Sequence, residues 1–332
     1  MERARILIIH TGGTLGMVPG HPGPFTVGGD PLAGLLRKVP ELSEIADIQL
    51  ELLANQDSCD VKAAQWEAWA RRIRDADAVD GVVIIHGTDT MAFTAGVLAF
   101  LLEERRLPIV LTGSQRPLGM IRTDARNNLI DALILARSGR NEVMVCFDSR
   151  GWRGTRVLKR SSEAMDAFYS PNTPPLVHLG VDLRWGDHVL TTPGVARRLR
   201  VGSNVQLSWV LPDLPAPAPW EPDGPAVRVI AAFGGGTLPV HAGWADLVRE
   251  EMKNGVVHLL VSQCPHGKLF LDRYESSHKL LDLGVIDGGD MSDVAAVAKA
   301  RVGLGQGFDE SALRAYLAAS VAGERTLKEE GE

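Results

Sequence analysis

The chain has 332 residues, 45% of them hydrophobic, enough for one large domain or two moderate ones around a sizeable core. A formal net charge of -6 without a basic stripe argues against nucleic-acid binding, and the mild acidity reads as ordinary solubility. No apolar stretch reaches membrane-spanning length, none is long enough for a signal peptide, and Cys59, Cys146 and Cys264 are widely spaced; the expectation is a cytoplasmic chain with reduced thiols and no membrane partner.

In chain order, strand-like runs fall at residues 5–10, 48–54, 81–86, 108–112 and 142–147, with helix-like stretches at 61–74, 90–104 and 123–137. Short β-branched runs separated by helices imply a parallel sheet covered on both faces. Such sheets bind ligands beyond the carboxyl ends of their strands. From 151 to 204 the alternation gives way to turns and short extended pieces. "PDLPAPAPWEPDGPA", 212–226, holds too much proline for a helix or central strand and reads as a stiff linker. Strand-like runs at 227–233, 256–261 and 285–286 follow, each with a helix after it. The expected fold class is α/β with two α/β domains. A larger N-terminal domain, 1–211, carries a mostly parallel sheet with flanking helices, and after the linker 212–226 comes a smaller C-terminal α/β domain, 227–332.

Four polar clusters follow directly on expected strands: "TGGT" (11–14), "QDSCD" (56–60), "HGTDTM" (86–91) and "TGSQRP" (112–117). Parallel strands share a carboxyl end, so all four belong on one edge of the sheet. A glycine-rich turn after a strand cradles a phosphate or presents a side chain. The phosphate reading fails on spacing, because Gly12, Gly13 and Gly16 do not form Gly-x-Gly-x-x-Gly and no lysine completes a Walker loop. Thr88-Asp89 has two compatible readings: a helix N-cap, or a hydroxyl beside a carboxylate that binds an ammonium or shares in proton transfer. Asp57-Ser58 is either a turn or a polar pair holding an amino-acid head group. Cys264-Pro265-His266, without a second such pair, reads as local packing rather than a metal site.

"TGGT" together with "HGTDTM" closely resembles the two signature segments of the L-asparaginases. "TGSQRP", "SQCPHGK" (262–268) and "GVIDGGDM" (284–291) resemble the bacterial cytoplasmic type I branch, and the similarity runs over nearly the whole chain. The resemblance implies an amidohydrolase that converts L-asparagine to L-aspartate and ammonia through an acyl-threonine intermediate, without metal or cofactor. It implies Thr14 as nucleophile and Thr88 and Asp89 as a second catalytic pair, completed by Lys159 of "RGTRVLKRSS". Asp57 and Ser58 match the pair that grips the substrate's α-carboxylate and amino group, where Thr88 and Asp89 also contribute. Ser114 matches the residue whose backbone carbonyl meets the side-chain amide. The family further implies a homodimer or dimer of dimers in which a neighbouring subunit completes the site. Glutamine, an amidated tRNA or another amide as substrate stay open as alternatives, as does a non-catalytic amino-acid sensor. Pure binding, however, needs no activated hydroxyl.

These residue types suit the chemistry. An amide is a poor electrophile and a threonine hydroxyl a weak nucleophile. Gly12 and Gly13 let backbone approach the substrate, and N–H groups there and near Thr88 are expected to hold the oxyanion. A buried lysine beside Thr88 can take a proton, steadied by Asp89. Thr11 is expected to support the turn. In the family a tyrosine in the loop after the first motif reaches back to the nucleophile. Here "VPGHPGPFTVGG", 18–29, has none, and no tyrosine occurs before Tyr169. Phe25 stands nearest the place, with the Thr26 hydroxyl beside it, and residues 16–29 are expected to form a lid.

Overall fold

In the computed structural model, which describes residues 3–16, 34–273 and 275–327, the fold starts with strand β1 (Arg5–Gly12), buried at every position after Arg5. A run apolar on both faces suits the middle of a sheet sandwiched between helices. β1 accordingly lies between two parallel neighbours, β2 (Asp47–Gln56) and β3 (Gly81–Ile85). β4 (Ile109–Thr112) and β5 (Val143–Phe147) extend the parallel set beyond β3. The chain then reverses into β6 (Arg150–Arg153), antiparallel to β5. A separate hairpin pairs β7 (Leu158–Lys159) with β8 (Phe168–Tyr169). β9 (Val177–Leu179) and β10 (Leu183–Trp185) complete an eight-stranded sheet in the order β10-β9-β6-β5-β4-β3-β1-β2.

Helices α1 (Leu35–Lys38), α2 (Leu42–Ile45), α3 (Ala63–Arg74), α4 (Met91–Leu101) and α5 (Ala125–Ala136) belong to this unit. α4 is apolar on nearly all sides and buried accordingly, whereas α3 buries one face through Trp66, Trp69, Ala70 and Ile73. α3 begins at Ala63 because Gln65 Oε1 accepts the Lys62 N–H, capping the first turn. α4 ends before the expected 104, where the chain turns and the buried Arg105 reaches Glu142.

The described residues divide into two compact units, up to Ala196 and from Arg197. The second holds an all-parallel sheet in the order β11 (Val205–Trp209), β12 (Ala226–Ala232), β13 (Val256–Ser262) and β14 (Ile286–Asp287). Its helices are α6 (Trp244–Lys253), α7 (Glu275–Asp282), α8 (Asp293–Gly305) and α9 (Glu310–Ala318). Strand alternation builds two cores. Val227, Val229 and Ala231 pack with Ala296, Ala300 and Leu317 of α8 and α9, while Ile230 and Ala232 pack with Trp244, Leu247 and Leu280 of α6 and α7.

Here the structure departs from the expected boundaries. β11 lies in the span assigned to the first domain, yet it pairs in register with β12. Its exposed Leu207 and Trp209 interrupt the continuous burial pattern, which hides it from a sequence reading. Nor is 212–226 a free linker. Its non-proline amides bind along the second unit, Ala216 N to Ala242 O and Trp220 N to Glu251 Oε1. Glu251 also accepts from Arg228 Nε (2.7 Å) and His258 Nε2 (2.9 Å). Burial alone would raise its carboxyl, but these hydrogen bonds outweigh burial and hold the pKa at about 2. Among the described residues no helix is long and apolar enough to cross a membrane.

Candidate active site

β4, β3, β1 and β2 are adjacent and parallel, so their carboxyl ends line one edge, and the four polar clusters follow those ends. The Thr11 hydroxyl donates to Ile85 O across 2.9 Å, tying β1 to β3 in the supporting role expected of it. Gly13 takes a φ of 86°, and a Cβ there would lie 2.5 Å from the Gly87 Cα. The first and third turns therefore stack backbone on backbone, which only glycine permits. Thr14 opens a short 3-10 turn, Thr14–Gly16, and is half-buried. The glycine N–H groups are engaged within the fold: Gly12 N donates to His10 Nδ1 and Gly13 N to Gln56 O. The expectation that this pair holds an oxyanion is thereby corrected.

Thr88, Asp89 and Lys159 come into direct contact. Lys159 Nζ donates to Thr88 Oγ1 at 2.9 Å and to Asp89 Oδ1 at 2.5 Å. The hairpin of β7 and β8 delivers this lysine, with Lys159 opposite Phe168 and the Phe168 ring packed 5.0 Å from that of Phe147. Thr88 Oγ1 faces Gln115 Oε1 at 3.4 Å, and Gln115 Nε2 donates to Ala164 O in the hairpin loop. The N-cap reading of Thr88-Asp89 does not survive, because α4 is capped at Thr90 and no side chain caps it. Among the described residues no hydrogen bond joins the Thr14 side chain to the Lys159 group; strand order alone makes them neighbours on the edge.

Asp57 is exposed, and its Oδ1 accepts from Cys59 N at 2.9 Å, so it shapes the turn as well as facing solvent. Ser58 is buried, and its carbonyl accepts the Thr90 hydroxyl at 2.8 Å, fastening the second cluster to the third. Ser114 is buried, and its Oγ has no hydrogen-bond partner among the described residues. Its loop is held from α5. Asp124 accepts from Gln115 N and Arg116 N, and Asn128 Nδ2 donates to Gly113 O. A further brace lies under the third cluster. Gly87 O can only accept, so His86 Nδ1 carries the ring proton (2.7 Å), and Nε2 accepts from Thr94, whose oxygen accepts Trp66 Nε1–H. Burial lowers the His86 pKa to about 4 despite the opposing pull of Gly87 O.

Sequence reasoning did not single out Gln115, Thr90, Thr94, Asp124 or Asn128. Gln115 and Thr90 stand inside the quoted motifs, whereas the other three carry no local signal. Phe25, Thr26 and most of the expected lid lie outside the described residues. Among the described residues no group of three or more His, Cys, Asp or Glu is placed to hold a metal ion.

Residues 5–190 match the family model for the asparaginase N-terminal domain, and residues 222–317 match the glutaminase/asparaginase C-terminal domain. The chain belongs to the asparaginase family. It is 32% identical to L-asparaginase 1 of Escherichia coli K12, covering 98% of this chain and 99% of that relative. Among solved structures, L-asparaginase I of Vibrio cholerae superposes with a TM-score of 0.85 at 30% identity, covering 98% of this chain and all of that one. A probable cytoplasmic L-asparaginase of Campylobacter jejuni superposes with a TM-score of 0.75 at 26% identity, over 95% of this chain and 99% of that one. In this asparaginase-family chain, every candidate residue taken from the motifs lies in the first unit.

Proposed function

We propose that this member of the asparaginase family hydrolyses the side-chain amide of L-asparagine to L-aspartate and ammonia, with the Thr14 hydroxyl as nucleophile. The observation that carries the reading is the bridge from Lys159 to Thr88 and Asp89, on the same strand edge as the turn that presents Thr14. The named relatives are L-asparaginases, which supports the substrate.

Thr14 Oγ adds to the amide carbon as its proton passes on to the amide nitrogen. The C–N bond then breaks, the nitrogen departs with that proton as ammonia, and an ester remains on Thr14. Water, losing its proton toward the Thr88–Lys159 pair, adds to the ester carbon. Rupture of the ester bond releases aspartate and restores the hydroxyl. Splitting the reaction in this way replaces one difficult step with two easier ones. With Gly12 N and Gly13 N engaged elsewhere, the oxyanion donors are backbone amides at Thr88 and its neighbours, each worth roughly 3–4 kcal/mol. The Asp57 carboxylate and Asp89 suit the substrate ammonium, Ser58 suits its α-carboxylate, and the Ser114 carbonyl accepts from the side-chain amide. Hydroxyl, amine and water suffice for every step, so the scheme needs no metal or cofactor. The chain works in the cytoplasm as a homodimer or dimer of dimers, a neighbouring copy completing the pocket.

Ammonia release from asparagine and from glutamine, measured for the parent and for Thr14→Ala, tests this. The expected result is turnover of asparagine by the parent and a loss of several orders of magnitude in the variant, which still binds aspartate. Turnover by Thr14→Ala within about tenfold of the parent rules Thr14 out as nucleophile. A parent that releases no ammonia from asparagine refutes the activity itself.

A further inference from the structure

His10 sits where β1 leaves the sheet. It is fully buried, and the parallel register of β1 on β2 slips between His10 and Gly12. At the slip the ring takes over from the ladder: His10 Nδ1 accepts the Gly12 N–H at 3.1 Å. A side chain at position i that accepts the amide of i+2 is the arrangement Asn and Asp use to form Asx-turns. Gly12 takes a φ of 117°, and a Cβ there would lie 2.1 Å from Gln56 O. The next amide, Gly13 N, donates to that same oxygen at 3.2 Å, and Gly16 N closes on Gly13 O at 3.3 Å. Thr14 lies inside this chain of bonds.

The chemistry at the ring is one-sided. Gly12 offers only a donor, so Nδ1 must be unprotonated and the proton of the neutral ring resides on Nε2. Burial lowers the His10 pKa to about 4, against a smaller rise from the Ala54 carbonyl, and so keeps the ring neutral at physiological pH. Nε2 is buried and makes no hydrogen bond of good geometry among the described residues, with only the Ala54 carbonyl pulling on the ring. A poorly partnered buried donor is destabilising, and leucine or valine in this apolar strand would avoid it. A histidine here makes sense through what Nδ1 does.

We propose that His10 is a positioning residue for Thr14: its Nδ1 fixes the Gly12 amide and, through it, the turn that aims the Thr14 hydroxyl. The role rests on the reading of Thr14 as nucleophile. His10→Leu removes the acceptor and keeps an apolar side chain, whereas His10→Asn keeps an acceptor in the Asx-turn position. With asparagine as substrate, His10→Leu is expected to lower kcat about ten- to hundredfold with KM within about threefold, and His10→Asn to stay within about threefold of the parent, because misplacing a reacting atom by about 1 Å costs on that scale. Melting temperatures measured alongside separate positioning from packing, since Leu is expected to be the more stable variant and the less active one. Equal losses in both variants that follow their melting temperatures overturn the proposal. So does parent-like turnover by His10→Leu when Thr14→Ala is inactive, a result that leaves the nucleophile standing. Activity in Thr14→Ala instead removes the nucleophile, and the positioning role with it. Should His10→Leu fail to fold, nitrogen NMR of the histidine-labelled full chain decides on the parent: the ring proton is expected on Nε2, and finding it on Nδ1 rejects the assignment.

Discussion

Lys159 Nζ lies 2.9 Å from Thr88 Oγ1, although 71 positions separate the two residues in the chain. The short hairpin that carries the lysine is anchored by Phe168 against Phe147 and by the bond from Gln115 to Ala164. Lys159→Met keeps the length and apolar stem but removes the amine. Its kcat is expected to fall roughly 10²–10⁴-fold, the usual range for lost general acid–base help, with a much smaller change in KM. A kcat that matches the parent across the pH range refutes a proton-transfer role for Lys159.

The Thr90 hydroxyl fastens the Ser58 carbonyl, and so holds the Asp57-Ser58 turn against the third cluster. Thr90→Val removes that bond while keeping the shape of the side chain. One hydrogen bond is worth about 1 kcal/mol, so KM for asparagine is expected to rise about fivefold with a smaller effect on kcat. Steady-state kinetics check this, and a fall in kcat at constant KM contradicts a substrate-gripping role for the turn.

Gly13→Ala places a Cβ 2.5 Å from the Gly87 backbone at a φ of 86°. Neither neighbour is a flexible side chain that can swing aside. The strain is expected to destabilise the fold by about 1–3 kcal/mol and to abolish most turnover by separating the two turns. Chemical denaturation and kinetics of the same preparation test it, and a variant with parent-like stability and rate shows that the turns need not touch.

His10 and His86 both have pKa values lowered from 6.5 to about 4, in each case mainly by burial. As the pH falls through 6.5 the unfolded chain takes protons that the folded chain refuses. The stability is therefore complete above 6.5 and is lost between 6.5 and 4, by up to roughly 3 kcal/mol for each ring. Glu251, lowered from 4.5 to about 2, adds its own loss only below 4.5. A urea midpoint that stays constant from pH 7 to pH 4.5 contradicts neutral burial of the two imidazoles.

Legibility in the sequence followed local pattern. β1, β3, β4 and β5 are apolar on both faces and short, and such runs reveal themselves without tertiary information. The polar clusters at their ends followed from the shared direction of parallel strands. β11 stayed hidden because one side of it faces solvent, and β7 because two residues carry no periodicity. Lys159 could be singled out only through the family resemblance, since a lone lysine in a turn-rich stretch looks like any surface lysine. Asp124 and Thr94 are ordinary helix residues by pattern, and their work is defined by partners on other strands and helices. Conversely, the N-cap reading of Thr88-Asp89 is sound local chemistry, but α4 takes its N-cap at Thr90 and the pair meets the Lys159 amine instead.

The hairpin of β7 and β8 also fixes a timetable. A nascent chain that reaches only as far as β5 already includes Thr14, Asp57, Ser58, Thr88, Asp89 and Ser114, the residues of the turns that follow the parallel strands. The amine that bridges Thr88 and Asp89 comes later in the chain, and it enters by an antiparallel excursion rather than by another crossover helix. During translation, the residues of the strand edge are therefore made before the amine that bridges two of them, and a chain that ends between β5 and β7 holds those residues without Lys159.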